Sequence, residues 1–440
     1  MSKLDNKSSQ VLEARLDGGS RVLLLEDSRF ASLQVMLWYT LPLQSDLPTG
    51  FNLSQAALLP LCLRRGSESL PSHQDMVIAL EQLWGAEVQA GVGKRGGYHI
   101  TYFDMDFTDP RFLPPSATSM LAEGVGLLAD LVQKPLLTGS AFPEEIFQEE
   151  KEVLMSTQAR LIHNRGAYAM DRCLQAMYKG NIYGMNRLGT VEQTLSLTSG
   201  DLAAYYHRFR QEAQLTIGIC GAEVGEHLLP MLGGTFGQQA HPTWKLVSLP
   251  RPLGDTVQEI TEELPGEQSQ LIVAFCSPVA YEDPLSRPLQ LLSGLWGDFA
   301  HSRLFRRLRE EEGLTYNPWT RLDRVSGTIF AGAGLDAEDA EAAVAMIQEE
   351  LASLQQGQIS DDEWQKTRLS LQHSYLQMAD DPSSILEFTF NSSLLGRHQT
   401  IEEAIREIMS ITKEEVSAAA HTLQLHTVYL LDGMTSELRE

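Results

Sequence analysis

The same order of predicted elements occurs twice along the chain, and this repeat constrains the fold more than any other feature of the sequence. In the first half, apolar patterns predict strands at 22–25 and 32–39, then two helices, a hairpin over 87–107 and further helices. In the second half, a strand at 271–276 is followed by two helices, a hairpin that turns near 326–327 and further helices. A repeated unit predicts two similar domains. We therefore expect an α+β fold in which each domain is a mainly antiparallel sheet with helices packed on one face.

A segment between the two halves has the composition of a linker. Residues 237–255 are rich in proline and glycine and only weakly periodic. The sequence thus predicts an N-terminal domain over 1–236 and a C-terminal domain over 256–440. A chain of 440 residues is long enough to bury a core in each.

An excess of acidic residues argues against two classes of partner. The chain contains 34 Lys and Arg against 58 Asp and Glu, which gives a formal net charge of −24. This charge repels nucleic acid and anionic membranes. The N-terminus shows no apolar segment of signal-peptide length, and no uncharged apolar run is long enough to span a membrane. We expect a cytoplasmic protein that binds neither nucleic acid nor membranes.

The cysteines agree with that compartment. Cys62, Cys173, Cys220 and Cys276 lie far apart, mostly in apolar stretches, and form no Cys-x-x-Cys pair. This pattern is typical of buried free thiols in a reducing environment.

Five short motifs follow one another in a characteristic order. They are Leu63-Arg-Arg-Gly-Ser67, the run 83–90, the acidic run 149–153, Tyr183-Gly184 and the run 189–192. In this order and at these distances, the chain resembles the insulinase/pitrilysin family of zinc peptidases, the inverzincins, whose signature is His-x-x-Glu-His on a helix. The resemblance covers nearly the whole length and implies two similar domains arranged as a clamshell.

The positions that bear the chemistry in that family carry other residues here. The resemblance places the first zinc histidine at Ala57, the catalytic glutamate at Pro60 and the second zinc histidine at Leu61. It places the third ligand, seven residues beyond Glu150, at Thr157, with Gln158 and Glu152 as alternatives. A zinc site needs three converging donors and a water activated beside a carboxylate base. We therefore expect no metal and no cofactor in this chain.

No other catalytic constellation replaces the missing one. The eleven histidines occur singly, without His-x-x-x-His spacing, and His73 and His99 are interpreted as structural or solvated. Cys62 follows Leu61, where the resemblance places the second zinc histidine, but the sequence identifies no basic partner for its thiol. A cysteine peptidase is accordingly disfavoured.

The second half retains a different part of the family's site. The run HSRLFRRLREEEGLTY, 301–316, predicts a helix capped by Ser302 that ends at Gly313 before a strand. In the resembled family this is the Arg/Tyr element, and the resemblance assigns those roles to Arg309 and Tyr316. A guanidinium can grip a carbonyl and a phenol can donate to an oxyanion. The alternative is that Arg309 pairs with the glutamates at 310–312 and Tyr316 half-fills a strand.

The resemblance implies a division of work between two chains. In bacterial relatives of the family, one chain carries the zinc motif and the other the Arg/Tyr pair, and this sequence looks like the second kind. The runs 94–99, 109–115 and 380–397 are similar to the YmfF-like branch of cytosolic bacterial proteins. We therefore expect a non-catalytic subunit, not an enzyme on its own, that supplies Arg309 and Tyr316 to a zinc-bearing homologue cleaving unstructured peptides.

Two other hypotheses stay open at this stage. The first is a peptide-binding or scaffolding protein that acts alone or as a homodimer and has no role in cleavage. The second is an active metallopeptidase with atypical ligands. A zinc content near one per chain would favour the latter, and a chain that never associates with a zinc-motif homologue would favour the former.

Overall fold

Two compact units make up the chain in a computed structural model, which describes residues 11–43, 52–117, 119–243, 249, 252 and 256–433. The first unit comprises the residues up to Ala159 together with Asn186–Val247 and Asp380–Leu394. The second comprises Arg160–Met185, Ser248–Ala379 and the residues from Leu395 onward. Each unit therefore contains chain segments from both halves of the sequence.

The domains predicted from composition are each one continuous segment of the chain, whereas each of these units is made of several segments. Contiguous domains over 1–236 and 256–440 remain a prediction, as does the linker at 237–255, most of which lies outside the described residues. Two segments join the unit of the other half: 160–185 belongs to the second unit and 380–394 to the first.

Eleven strands of the described residues form two sheets. They are β1 (Leu12–Arg15), β2 (Arg21–Glu26), β3 (Ser32–Pro42), β4 (Glu87–Arg95), β5 (Tyr98–Thr108), β6 (Gln214–Gly221), β7 (Gln258–Glu263), β8 (Ser269–Cys276), β9 (Trp319–Asp323), β10 (Thr328–Leu335) and β11 (Gln424–Asp432). The first sheet has the order β1-β2-β6-β3-β5-β4 and the second β7-β11-β8-β10-β9. Only β2–β6 and β7–β11 pair in parallel, so both sheets are mainly antiparallel, as predicted.

Helices surround both sheets. The α-helices are α1 (Leu53–Leu63), α2 (His73–Gln82), α3 (Met120–Gln133), α4 (Glu144–Arg160), α5 (Arg165–Met177), α6 (Val191–Leu195), α7 (Ser199–Glu212), α8 (Leu229–Phe236), α9 (Ser286–Ser293), α10 (Ala340–Gln355), α11 (Asp361–Met378), α12 (Pro382–Leu394), α13 (Ile401–Ser410) and α14 (Lys413–His421). Two π-helices span Gly294–Asp298 and Phe305–Glu311. Among the described residues, no helix combines the length and apolarity that crossing a membrane requires.

Side-chain capping starts several of these helices where the sequence predicts it. Ser72 with Asp75 and Thr198 with Asp201 form reciprocal capping boxes at α2 and α7. From the sequence, Ser54 is expected to cap a helix over roughly 55–64, and this prediction is wrong. Asn52 is the cap, and its side chain accepts from the backbone N–H groups of Ser54 and Gln55. Asn and Ser are both favoured cap residues, so the sequence alone does not show which of the two satisfies the unpaired N–H groups at the start of α1.

The core of the first unit lies on one face of its sheet. Along β3, Leu33, Val35, Leu37 and Tyr39 alternate toward this core, which they share with α1, α3 and α7. The opposite face of the sheet is covered by α12, where Phe390 stacks on Trp38 with ring centroids 4.5 Å apart. Gly218 leaves room for that indole, since a Cβ there would lie 2.6 Å from it.

An equivalent exchange covers the second sheet. Here α5, which comes from the first half of the chain, packs on the face formed by Ile272, Ala274 and Tyr429. The helices α9, α11, α13 and α14 form a mutually packed layer in the same unit. Each sheet thus receives one helix from the other half of the sequence. The predicted α+β class, with two similar units, is confirmed, but helices pack on both faces of the first sheet and not on one, because α12 covers the face opposite α1, α3 and α7.

A cluster of acidic groups lies on the outer face of the first sheet. Asp104 on β5 accepts a hydrogen bond of 3.1 Å from Gln34. Burial raises the pKa of Asp104 to about 6, and the carboxylates of Asp106, Glu387 and Asp381 add to the shift. Because the native pKa lies above that of the unfolded chain, the contribution of Asp104 to stability is complete below pH about 4 and is lost as the pH rises through about 6.

Replacing Asp104 by Asn is therefore expected to stabilise the protein at alkaline pH. We expect the free energy of unfolding to rise by about 1–2 kcal/mol at pH 8 and to change little at pH 4, because the amide carries no charge to desolvate. Urea titrations at the two pH values measure the difference. Asp17→Asn, at an exposed carboxyl, is the control. An equal effect of Asp104→Asn at both pH values would show that the charge is irrelevant.

Candidate functional site

Helices α1 and α4 of the first unit carry the four positions at which the resembled family places its zinc chemistry. Ala57 and Pro60 are buried on α1, and Leu61 is partly buried beside them. Thr157 is partly buried on α4, and its hydroxyl donates to the backbone carbonyl of Val153 in its own helix. The side chains on α1 therefore serve the apolar core.

Pro60 lies inside α1, and the helix continues through it to Leu63. A proline at this place has no N–H to donate to the carbonyl of Ala56, so one backbone hydrogen bond of the helix is missing. The next turn is intact, since the N–H of Arg64 donates to the Pro60 carbonyl at 3.2 Å. α1 therefore stays helical through Pro60, with one backbone hydrogen bond missing.

The Pro60→Ala substitution is expected to stabilise the chain. Alanine restores the missing bond, and the loss of the buried ring offsets part of the gain, so we expect an increase of about 1–2 kcal/mol in the free energy of unfolding. Urea unfolding measures it. Pro110→Ala is the matched control, because Pro110 begins a short helix where no donor is required. A lower stability of Pro60→Ala would mean that the surrounding core is shaped to the proline ring.

Ion pairs join the end of α1 to α4. Arg65 Nη1 lies 2.7 Å from Glu150 Oε1, and its Nη2 lies 2.7 Å from Glu149 Oε2. Arg64 approaches the other oxygen of Glu150 at 3.8 Å. The Glu150 side chain is only 4% exposed, so removal of Arg65 would leave a buried carboxylate without its closest cation, which is destabilising.

A polar network joins the start of α1 to the other end of α4. The Gln158 amide nitrogen donates to the Leu188 carbonyl at 2.7 Å, bonds to Thr194 at 2.9 Å and reaches the Ser54 hydroxyl at 3.5 Å. Among the three residues considered for the third ligand position, Gln158 is buried and bonded to α1, whereas Glu152 is exposed. The assignment to Thr157 stays a prediction, but Gln158 is the side chain that connects the two helices.

These residues do not fit a zinc ion. Ala57 and Leu61 offer no donor atom, and the buried polar atoms of Gln158 are engaged with protein groups. Throughout the described residues, no group of three or more His, Cys, Asp or Glu side chains is placed to hold a metal. Protein hydrogen bonds and ion pairs connect α1 and α4 where the family would use a shared metal.

The cysteine nearest these positions is unsuited to nucleophilic chemistry. Cys62 is buried on α1, and burial, followed by the nearby Glu150 carboxylate, raises the pKa of its thiol well above the usual value. All four cysteines are free and buried, as the sequence predicts. His99 is also buried, and burial lowers its pKa to about 4, so the ring is neutral near pH 7.

In the second unit, Arg309 lies on the π-helix Phe305–Glu311, which the sequence predicted to be part of an α-helix. The wider winding is seen in the hydrogen bond from the Glu312 N–H to the Arg307 carbonyl, five residues earlier. Such helices are rare and occur frequently at functional sites. The predicted cap does not form, since the Ser302 hydroxyl is buried without a hydrogen-bond partner.

The Arg309 guanidinium lies close to two aromatic rings. Its Cζ lies 4.6 Å from the centroid of the Phe305 ring and 4.3 Å from that of Tyr316. At these distances the guanidinium makes cation–π contacts with both rings. The structure thus brings the two residues predicted to act together into direct contact.

The neighbouring glutamates pair with other arginines. Arg307 contacts Glu311 at 3.3 Å and Glu312 at 3.2 Å, and Arg306 lies 3.7 Å from Glu311. Within the described part of the chain, Arg309 makes no ion pair. The alternative in which Arg309 is neutralised by glutamates 310–312 is therefore not what the structure shows.

Tyr316 lies in the loop before β9 and is 76% exposed, so it does not fill a strand. The Arg309 guanidinium and the Tyr316 hydroxyl are thus two hydrogen-bond donors on side chains that contact each other. Sequence reasoning missed Phe305, although its spacing of four residues from Arg309 on a helix was a usable signal. Arg65 and Gln158 were named from the sequence, but their contacts with Glu150 and with Leu188 and Thr194 were not predicted, because these partners are distant in the chain.

Comparisons with known proteins agree with this picture. A family model described as "Peptidase M16 inactive domain" matches residues 196–371, a stretch that contains Arg309 and Tyr316. The Bacillus subtilis protein "Probable inactive metalloprotease YmfF" is 25% identical over 416 residues, which are 94% of this chain and 96% of that protein. "Uncharacterized zinc protease YmxG" of the same organism is 25% identical over 288 residues, which are 64% of this chain and 69% of that protein.

Solved structures share the fold. A conserved protein from Enterococcus faecalis aligns with a TM-score of 0.89 at 24% identity, covering 97% of this chain and 100% of that one. A peptidase M16 inactive domain from Pseudomonas fluorescens aligns with a TM-score of 0.79 at 17% identity, covering 97% of this chain and 99% of the other. At these identities the structural matches show the fold alone.

Proposed function

The chain belongs to the M16 family of peptidases, the insulinase and pitrilysin family, as a member without the zinc-binding motif, and we propose that it is the non-catalytic subunit of a two-chain peptidase. Its partner would be a homologue that carries the His-x-x-Glu-His motif. Arg309 and Tyr316 of this chain would bind the substrate peptide at the bond that the partner cleaves. The chain would have no peptidase activity by itself.

The arrangement of Arg309 carries this proposal. The Arg309 guanidinium has no carboxylate partner among the described residues and contacts the rings of Phe305 and the exposed Tyr316, so these contacts restrict its position before any ligand binds. Preorganised donors stabilise the negative charge that develops on a carbonyl oxygen during hydrolysis. Glu311 and Glu312 pair with Arg306 and Arg307, so neither needs Arg309 as its partner.

Two further observations support the proposal. Buried ion pairs and a polar network hold α1 and α4 together without metal ligands, so the chain keeps its frame while leaving zinc chemistry to another subunit. Among its relatives, one organism has both a protein named as an inactive metalloprotease and one named as a zinc protease. The proposal requires that a homologue of each kind be present in the same organism.

The expected substrate is an unstructured peptide that adds as an extended strand to the edge of a sheet of the zinc-bearing chain. The formal charge of −24 does not repel basic peptides. Four free, buried thiols support a reducing compartment, and we propose that the complex acts in the cytoplasm.

Co-expression with the most similar zinc-motif homologue from the same genome tests this function. Each chain alone and the mixture are assayed on a quenched, unstructured peptide, and complex formation is followed by size-exclusion chromatography. We expect cleavage by the mixture and none by this chain alone. A homologue that is fully active alone and never co-elutes with this chain would overturn the proposal in favour of a separate peptide-binding or scaffolding role, alone or as a homodimer.

A further inference from the structure

A second group of arginines in the second unit, separate from Arg309, lies near Glu407. Arg287 on α9 is 1% exposed, and its Nε lies 3.1 Å from Glu407 Oε2 on α13. Arg397, in the loop before α13, pairs with the other oxygen of Glu407. Arg324, in the turn between β9 and β10, donates to the hydroxyl of Ser286, the residue adjacent to Arg287. The three guanidinium groups are thus linked through shared or neighbouring partners.

The hydrogen-bonding capacity of Glu407 is taken up within this cluster. Its Oε2 also accepts from the Gln399 amide at 2.7 Å. Arg287 is well satisfied: its Nη1 donates to Gln290 at 3.0 Å and to the Tyr375 hydroxyl at 2.5 Å, and its Nη2 donates to Gln399 at 2.6 Å. The side chains of Arg287 and Glu407 are therefore held in place by hydrogen bonds within the cluster.

The other two arginines keep unused donors. Nε of Arg324 and Nη1 of Arg397 are buried from solvent and find no acceptor among the described residues. Arg324 stacks on Tyr281, with its Cζ 4.5 Å from the ring centroid, which supplies only part of the stabilisation that an anion would give. A buried donor without an acceptor is costly.

The charges in the cluster do not balance. Arg287 and Arg397 share one partly buried carboxylate, that of Glu407, and Arg324 makes no ion pair among the described residues. Glu282 lies beside Gly396 but is exposed, and Asp283 is engaged with the backbone N–H of Leu285. Burial, and then repulsion by Arg287, lower the pKa of Arg324 to about 10, with Arg397 adding to the repulsion. An excess of positive charge stands out in a protein of net charge −24.

We propose that Arg324 and Arg397, supported by Arg287, bind a phosphate dianion, either free or as the phosphate group of a nucleotide. Arg324 Nε and Arg397 Nη1 each have one N–H without an acceptor among the described residues, and a tetrahedral oxyanion can accept charge-assisted hydrogen bonds from two guanidinium groups at once. A dianion would also neutralise the excess charge. The proposed site includes neither Arg309 nor any residue of a partner chain, so phosphate binding can be tested separately from the peptidase role.

Isothermal titration calorimetry of the full chain with inorganic phosphate, at constant ionic strength, is the test. We expect saturable binding to the wild-type chain and binding weaker by about tenfold or more in Arg324→Gln and in Arg397→Gln, since each loses charge-assisted hydrogen bonds. Arg406→Gln is the matched control, because it removes a charge from the same region at a side chain that is 76% exposed. It is expected to bind like the wild type.

A thermal scan adds a readout that does not depend on ligand. Without phosphate, Arg324→Gln is expected to unfold at the same temperature as the wild type or higher, because the repulsion from Arg287 is removed. Adenosine monophosphate that binds more tightly than inorganic phosphate would identify a nucleotide as the ligand, and equal affinity would identify free phosphate. Absence of saturable binding to the wild type, or equal binding to all variants, would overturn the proposal.

Discussion

Arg309→Ala in the complex with a zinc-bearing homologue is expected to slow peptide cleavage by about 100-fold while the two chains still co-elute, because removal of one preorganised donor to a developing oxyanion has an effect of that size. The rate constant kcat, measured on a quenched peptide, is the quantity to compare. Tyr316→Phe keeps the ring that stacks on Arg309 and removes only the hydroxyl, so a smaller loss, of about tenfold, is expected.

The chain offers a matched control for Arg309. Arg306 lies three residues earlier on the same π-helix, is exposed and pairs with Glu311. Arg306→Ala removes an equal charge and should leave kcat unchanged. A similar loss in both variants would assign the effect to the overall field of the chain. Unchanged cleavage with Arg309→Ala would contradict the substrate-binding role, and loss of co-elution would make Arg309 an assembly residue.

Phe390→Ala is expected to lower the free energy of unfolding by about 3–4 kcal/mol, as is usual when a buried aromatic ring is removed from a core. The Phe390 side chain is 2% exposed and lies nearly parallel to the Trp38 ring, at an interplanar angle of 6°. Its loss would uncover the indole on the outer face of the first sheet. Urea unfolding measures the change.

Phe388 on the same helix provides the comparison. It undergoes the same chemical change on substitution but is only partly buried, so Phe388→Ala is expected to cost about 1 kcal/mol. Equal costs at the two positions would show that α12 is a loosely attached helix and that the stacked pair contributes little. A cost confined to Phe390 would show that the first unit depends on a segment from the other end of the chain.

Much of the secondary structure was predictable because its signals are local. The capping boxes Thr400/Glu403 and Thr412/Glu415 begin α13 and α14 where the sequence indicates, and the turn near Gly327, at φ +69°, joins β9 to β10. The strand β1, with its weakly alternating Leu12–Arg15, was not predicted, because its only support is pairing with β2.

The exchange of α5 and α12 between the two halves could not be predicted. Their own sequences specify helices, but the partner of a helix is set by the surface that it covers, and those surfaces lie elsewhere in the chain. The same holds for Arg65 and Glu150, which are far apart in sequence and meet between α1 and α4.

The candidate site was partly accessible from sequence. The resemblance to the family suggested Arg309 and Tyr316 as a pair, and the structure places the two side chains in contact. The π-helical winding was not foreseeable, because one extra residue in a turn depends on tertiary packing and leaves the apolar pattern almost unchanged. The pairing of Glu311 with Arg306 and Arg307, which leaves Arg309 available, was equally a matter of geometry.

The position of α12 also affects how the chain folds during synthesis. The last strand of the first sheet is complete at Gly221, whereas the helix that covers its outer face begins at Pro382. While the ribosome makes the intervening residues, Trp38 and its neighbours on that face lack their native cover, and exposed apolar surface of this kind is prone to aggregation. The nascent first unit is therefore a natural client for a chaperone until most of the second unit has been made.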